Sequence, residues 1–130
     1  MQKILLLHGA IGAKDQLEPL KKFLNNSFEI HSLNFSGHGG KEFANEFNIK
    51  QFASEVINFL DENQIHQIDI FGYSMGGYVA LYVAKYFPEK IGKVVTLGTK
   101  FNWNKEIADK ETKMLNPAII EQKIPAFANI

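Results

Sequence analysis

Ile68-Asp69-Ile70-Phe71-Gly72-Tyr73-Ser74-Met75-Gly76-Gly77 reads as a buried strand that turns sharply on a serine and runs directly into a helix. In Gly72-Tyr73-Ser74-Met75-Gly76 the glycines stand two before and two after the serine, where a side chain would strike a neighbouring strand or helix. Such a turn, a nucleophile elbow, exposes the Ser74 hydroxyl at the carboxyl edge of a sheet. There it sits beside the first N–H groups of a helix, whose dipole favours negative charge. A G-x-S-x-G string recurs by chance, but the strand before it and the helix after it supply the context the motif requires.

Outward from this stretch, strands and helices alternate with short connections. Residues 4–7 form a fully apolar run, as in a parallel strand covered on both faces, and lead into the loop His8-Gly9-Ala10-Ile11-Gly12. Asp15 with Glu18 reads as a capping box, and Leu17, Leu20, Phe23 and Leu24 mark one face of the helix it would open. Residues 28–35 read as a second strand, followed by Ser36-Gly37-His38-Gly39-Gly40. Asn48 caps an amphipathic helix with Ile49, Phe52, Ala53, Val56 and Leu60 at helical spacing. A third strand at 68–72, a helix at 75–87 stopped by Pro88 and a fourth strand at 93–97 complete the pattern.

This order predicts an α/β fold, a three-layer sandwich with a mainly parallel sheet. Right-handed crossovers leave few topologies. With the second strand on one side of the first and the third on the other, the strand order reverses between them, and ligands bind at such a switch point. The loops His8 to Gly12 and Tyr73 to Met75 then lie side by side.

Composition removes several functional classes. The chain has 130 residues, 45% of them hydrophobic, enough for one globular core. Its 14 cationic side chains, all Lys, balance 14 acidic ones, so no net charge draws it to nucleic acid or an anionic membrane. Cysteine is absent, which excludes disulfides, thiolate metal sites and a cysteine nucleophile. The apolar run between Lys3 and His8 is too short for a signal-peptide core or a membrane span, and the expectation is a soluble cytoplasmic protein. No His, Asp or Glu cluster has metal-ligand spacing, and the loop after the first strand lacks the G-K-S/T ending of a phosphate loop. Neither a metal nor a cofactor is expected.

A serine hydroxyl is a poor nucleophile unless a base takes its proton and donors receive the charge on the attacked oxygen. The backbone N–H groups of Met75 and of Ala10, in the facing loop, are the candidate donors. Together His8-Gly9-Ala10-Ile11-Gly12, Asn34-Phe35-Ser36-Gly37-His38-Gly39 and Gly72-Tyr73-Ser74-Met75-Gly76 resemble three motifs of the α/β-hydrolase fold family, in the family's order. The likeness is greatest to small cytoplasmic members with a helical cap inserted after the sixth strand. It implies residues 1–100 as the N-terminal part of the hydrolase core and 101–130 as the start of the cap. It also implies Ser74 as nucleophile, Ala10 and Met75 as the oxyanion hole, and His8, Gly9, Gly72 and Gly76 as structural support. The substrate expected is a small ester or acyl compound. The family reuses one such site for C–C bond cleavage and elimination, and a non-catalytic binding module is the alternative of a different class.

The departures from the family pattern are equally specific. Members place an acid and then a histidine on loops after later strands, whereas the four histidines here, His8, His31, His38 and His66, all precede Ser74. Asp69 begins the strand that ends near Ser74, and at about 3.3 Å per residue it lies far from the carboxyl edge. Thr96-Leu97-Gly98-Thr99 offers no acid. The expectation is that an acid and a histidine lie beyond Ile130; the competing readings are a degenerate binding protein, or His38 or His8 as base. His8 is expected to shape its loop through backbone hydrogen bonds, and His38 to be structural within the glycine turn.

Overall fold

The computed structural model describes residues 1–100, so the expected cap over residues 101–130 lies outside the described residues. Four strands and three α-helices alternate: β1 (Gln2–Leu7), α1 (Glu18–Leu24), β2 (Phe28–Ser32), α2 (Ile49–Glu62), β3 (Ile68–Tyr73), α3 (Met75–Tyr86) and β4 (Ile91–Leu97). All strand pairs are parallel, in the order β2-β1-β3-β4. The chain steps from β1 to β2 in one direction and from β2 to β3 and β4 in the other. Right-handed crossovers therefore set α1 on one face of the sheet and α2 and α3 on the other. The reversal falls between β1 and β3, whose carboxyl ends carry His8 and Ser74.

The inner strands bury both faces. Leu5 and Leu7 pack with Ile70, Phe52, Val56, Leu60, Val79 and Val83 under α2 and α3. Leu6, alternate in the pleat, is equally buried on the opposite face. Helix α2 opens as its sequence dictates, with the Asn48 side chain accepting the Gln51 N–H at 2.8 Å. Its buried residues, Phe52, Ala53, Val56 and Leu60, form one stripe, flanked by the partly buried Ile49, Ile57 and Phe59.

Three expectations fail locally. Asp15 caps nothing: a 3₁₀ turn occupies Lys14–Leu17, and α1 starts at Glu18 with Pro19 in its first turn and no side-chain cap. Phe23 is 86% exposed, because Leu17, Leu20 and Leu24 already fill the inward stripe of so short a helix. The second strand also ends at Ser32, not Phe35. The Phe35 N–H leaves the ladder to donate to the His8 ring.

At the other end of the sheet, β4 carries an extra residue opposite Ile68 to Ile70, a bulge in the pairing. Asp69 closes it. Its carboxylate accepts the Lys93 N–H at 2.7 Å and the Gln2 side-chain amide, tying three strands together remote from Ser74. Val95 and Leu97, on the face of β4 turned away from Val94 and α3, are 59% and 58% exposed.

Candidate active site

Ser74 lies between the last residue of β3 and the first of α3, with φ 52° and ψ −115°. A non-glycine residue there carries about 1–3 kcal/mol of backbone strain, which persists only where the surroundings over-determine it. They do so on every side. The Ser74 N–H donates to the Leu97 carbonyl at 2.8 Å, and the Ser74 carbonyl accepts from Gly77 N–H at 3.0 Å. The Tyr78 N–H reaches the same carbonyl at 3.4 Å, and the Thr99 hydroxyl donates to it at 2.9 Å.

Close backbone approach explains the flanking glycines. A Cβ on Gly72 would meet the backbone of Gly76 and Gly77, and one on Gly76 would meet the carbonyl oxygens of Leu7 and His8. The N-terminus of α3 thus rests directly on the end of β1. Gly9 packs against Ser74 itself, since a Cβ there would stand 3.2 Å from Ser74 Cβ and 3.1 Å from the Tyr73 ring. Ser74 is half-buried, and its hydroxyl meets no hydrogen-bonding partner among the described residues.

The loop opposite Ser74 is fixed through one peptide group. His8 is fully buried; its Nε2 accepts the Phe35 N–H at 3.1 Å, so the proton resides on Nδ1, which donates to the Gly9 carbonyl at 2.8 Å. Gly12 N–H donates to the same carbonyl at 3.0 Å, closing a tight turn in which Ile11 takes φ 54°. The Gly9 carbonyl and the Ala10 N–H belong to one planar trans peptide and point in opposite directions. Anchoring the first therefore aims the second. Neither Ala10 N–H nor Met75 N–H, the first in α3, donates to another described residue.

Burial holds the His8 pKa below its ordinary value, with a further push from the neighbouring His38 and an opposing pull from the Gly9 carbonyl. Both ring nitrogens are engaged, so His8 has no free position with which to take a proton from Ser74. His38, also buried, donates through Nδ1 to the Ser36 carbonyl at 3.0 Å and stacks on Phe47. His31 bonds Glu29 on the outermost strand, and His66 is exposed ahead of β3, at the end opposite Ser74. The geometry thus brings together Ser74, Met75, Gly72, Gly76, Gly9 and His8. Among the described residues it brings no histidine and no carboxylate into hydrogen-bonding contact with Ser74.

Two residues of this site were not singled out by sequence: Thr99, in a stretch scanned only for an acid, and Glu55. Glu55 lies one turn from Gln51 and beside the buried Phe52 and Val56. A carboxylate bordering an apolar stripe is the signal that could have marked it.

The elbow and its facing loop define a serine-centred α/β fold, and comparison gives it a family. The chain belongs to the alpha/beta hydrolase fold family, whose family model matches residues 3–116. It is 32% identical over 91 residues to a pimeloyl-[acyl-carrier protein] methyl ester esterase of Neisseria meningitidis, covering 70% of this chain and 34% of that protein. It is 29% identical over 98 residues to a probable alcohol acetyltransferase of Wickerhamomyces anomalus, covering 74% of this chain and 29% of that one. The chain therefore spans about a third of the length of these curated relatives. Among solved structures, a carboxylesterase study of Nitrososphaera gargenis supplies a match with TM-score 0.82 at 16% identity, covering 95% of this chain and 49% of that one. At that identity the likeness concerns the fold. Among the described residues no helix is long and apolar enough to cross a membrane, and no group of His, Cys, Asp or Glu could hold a metal ion.

Proposed function

We propose that the chain carries the nucleophile and oxyanion half of an ester-cleaving centre, with Ser74 forming an acyl-enzyme. The observation that carries this reading is the strained Ser74 backbone, held from three directions at the carboxyl end of β3 with its hydroxyl unpartnered among the described residues. Packing accounts for Gly72, Gly76 and Gly77 without any chemistry. It does not account for a serine at a position that glycine would occupy with less strain.

In the proposed reaction Ser74 Oγ attacks the ester carbonyl carbon, and its proton passes to a general base. The tetrahedral oxyanion accepts from Ala10 N–H and Met75 N–H, the alcohol leaves with a proton, and water then releases the acid. The base is a group other than the four histidines of this chain. Identity to a methyl ester esterase favours water as the acyl acceptor over the alcohol used in acetyl transfer. A small acyl ester is the proposed substrate, and the cytoplasm the proposed location.

The test is the intact mass of the protein expressed from its unmodified gene, before and after a fluorophosphonate probe. One adduct, absent in Ser74→Ala, is the expected result. No adduct on folded protein overturns the reading and makes the crevice above Ser74 a binding site.

A further inference from the structure

Glu55 is the one carboxylate on α2 drawn inward, with its side chain 11% exposed. It grips a single residue with both oxygens: Oε1 accepts the Ser36 N–H at 2.7 Å, and Oε2 accepts the Ser36 hydroxyl at 2.7 Å. Gln51, one turn earlier, donates to Oε2 at 3.0 Å, and the Lys41 ammonium stands 3.9 Å from Oε1. A carboxylate so far removed from water is unfavourable unless its lone pairs are met in this way. The segment it holds has no regular structure of its own. Gly37, Gly39 and Gly40 all take positive φ, and the local backbone bond to this pair is the His38 N–H on the Phe35 carbonyl at 3.0 Å, which leaves the Ser36 N–H and hydroxyl to Glu55.

What hangs from Ser36 reaches the site. The residue before it, Phe35, donates its N–H to His8 Nε2, and this bond forces the His8 proton onto Nδ1, hence onto the Gly9 carbonyl. The Phe35 ring packs edge-on against His8 and tilts against Phe52 of α2, so the same helix holds the residue from both its backbone and its ring. The Ser36 carbonyl in turn receives the His38 Nδ1–H.

We propose that Glu55 is a positioning residue for the loop facing Ser74: by clamping Ser36 it keeps the Phe35 N–H on His8, and His8 then holds the Gly9–Ala10 peptide in place. Glu55 touches neither Ser74 nor a substrate. It acts on the Ala10 N–H through a relay of three residues, Ser36, Phe35 and His8. The kinetic part of the inference rests on Ser74 being the nucleophile; the part concerning His8 does not.

The decisive measurement is the tautomer of His8, read from long-range ¹H–¹⁵N spectra of the protein as its gene encodes it. With Glu55 present, His8 is neutral and carries its proton on Nδ1 alone. In Glu55→Ala the clamp is gone and both tautomers are populated. Ester turnover falls at least about tenfold in kcat with KM little changed, as for loss of an oxyanion donor. Glu55→Gln keeps the shape and one acceptor, and gives a smaller change of the same kind. If Glu55→Ala does not fold, Glu55→Gln carries both readouts. A lowered melting temperature with the Nδ1 tautomer and kcat intact in the folded variants overturns the proposal, leaving Glu55 a purely structural residue. A wild-type protein without ester turnover would sink the reading of Ser74 instead, and the His8 spectra would still decide the role of Glu55.

Discussion

The Thr99 hydroxyl donates to the Ser74 carbonyl at 2.9 Å, across 25 residues of sequence, and its oxygen lies where a side chain on Gly77 would otherwise stand. The segment after β4 thus holds the strained turn after β3. Thr99→Val keeps the shape and removes the bond, and should cost about 1 kcal/mol in urea unfolding. If the strain at Ser74 depends on it, covalent labelling of Ser74 slows as well. Unchanged labelling would assign the turn to the bonds with Leu97, Gly77 and Tyr78.

Glycine at position 74 relieves the backbone that serine strains. Ser74→Gly is expected to raise stability by about 1 kcal/mol, after the entropy glycine adds to the unfolded chain, while abolishing the adduct. A less stable Ser74→Gly protein would show that the φ of 52° stores nothing.

His8 sets a pH dependence with a definite sign. Its folded pKa lies below the unfolded value of about 6.5, so the unfolded chain binds the proton first as pH falls. The contribution of the neutral, buried ring is complete above about pH 6.5 and is lost as pH drops through the window between 6.5 and the folded pKa. Urea midpoints at pH 7.5 and 5.5 should therefore separate more in the wild type than in His8→Gln. Equal separation would mean that other groups govern the acid limb.

Val95 and Leu97 present apolar side chains beside a strand whose outer edge pairs with no other described strand. The 130-residue chain alone should associate at high concentration, and Val95→Lys with Leu97→Lys should reduce this in sedimentation. A wild-type chain that stays monomeric would argue against the exposed face as a contact surface.

Most of the sheet was legible because its signals are local. Leucines on β1, the Asn48 cap and the Gly72 to Gly76 turn each depend on neighbours within a few residues, and right-handed crossovers left few strand orders, of which the one with β2 and β3 on opposite sides of β1 is found. The errors arose where a tertiary partner outbid local preference. Residues 33–35 have strand-like sequence, yet the His8 ring takes the Phe35 N–H. Asp15 looks like a cap, but a 3₁₀ turn moves the helix start three residues past it. Of the site, Ser74 and its glycines could be read directly, because a tight turn leaves a spacing rule. Thr99 and Glu55 could not, because their hydrogen bonds close loops of 25 and 19 residues that leave no periodicity behind.

The bond from Ser74 N–H to the Leu97 carbonyl gives the serine turn a place in the order of synthesis. During translation the serine is made well before the residues that bend it, and a growing chain is free to fold behind the ribosome as it lengthens. Until Leu97 and Thr99 have emerged, position 74 lacks two of the hydrogen bonds that hold its turn. A ribosome stalled short of the fourth strand would hold a chain with the motif but without those two bonds.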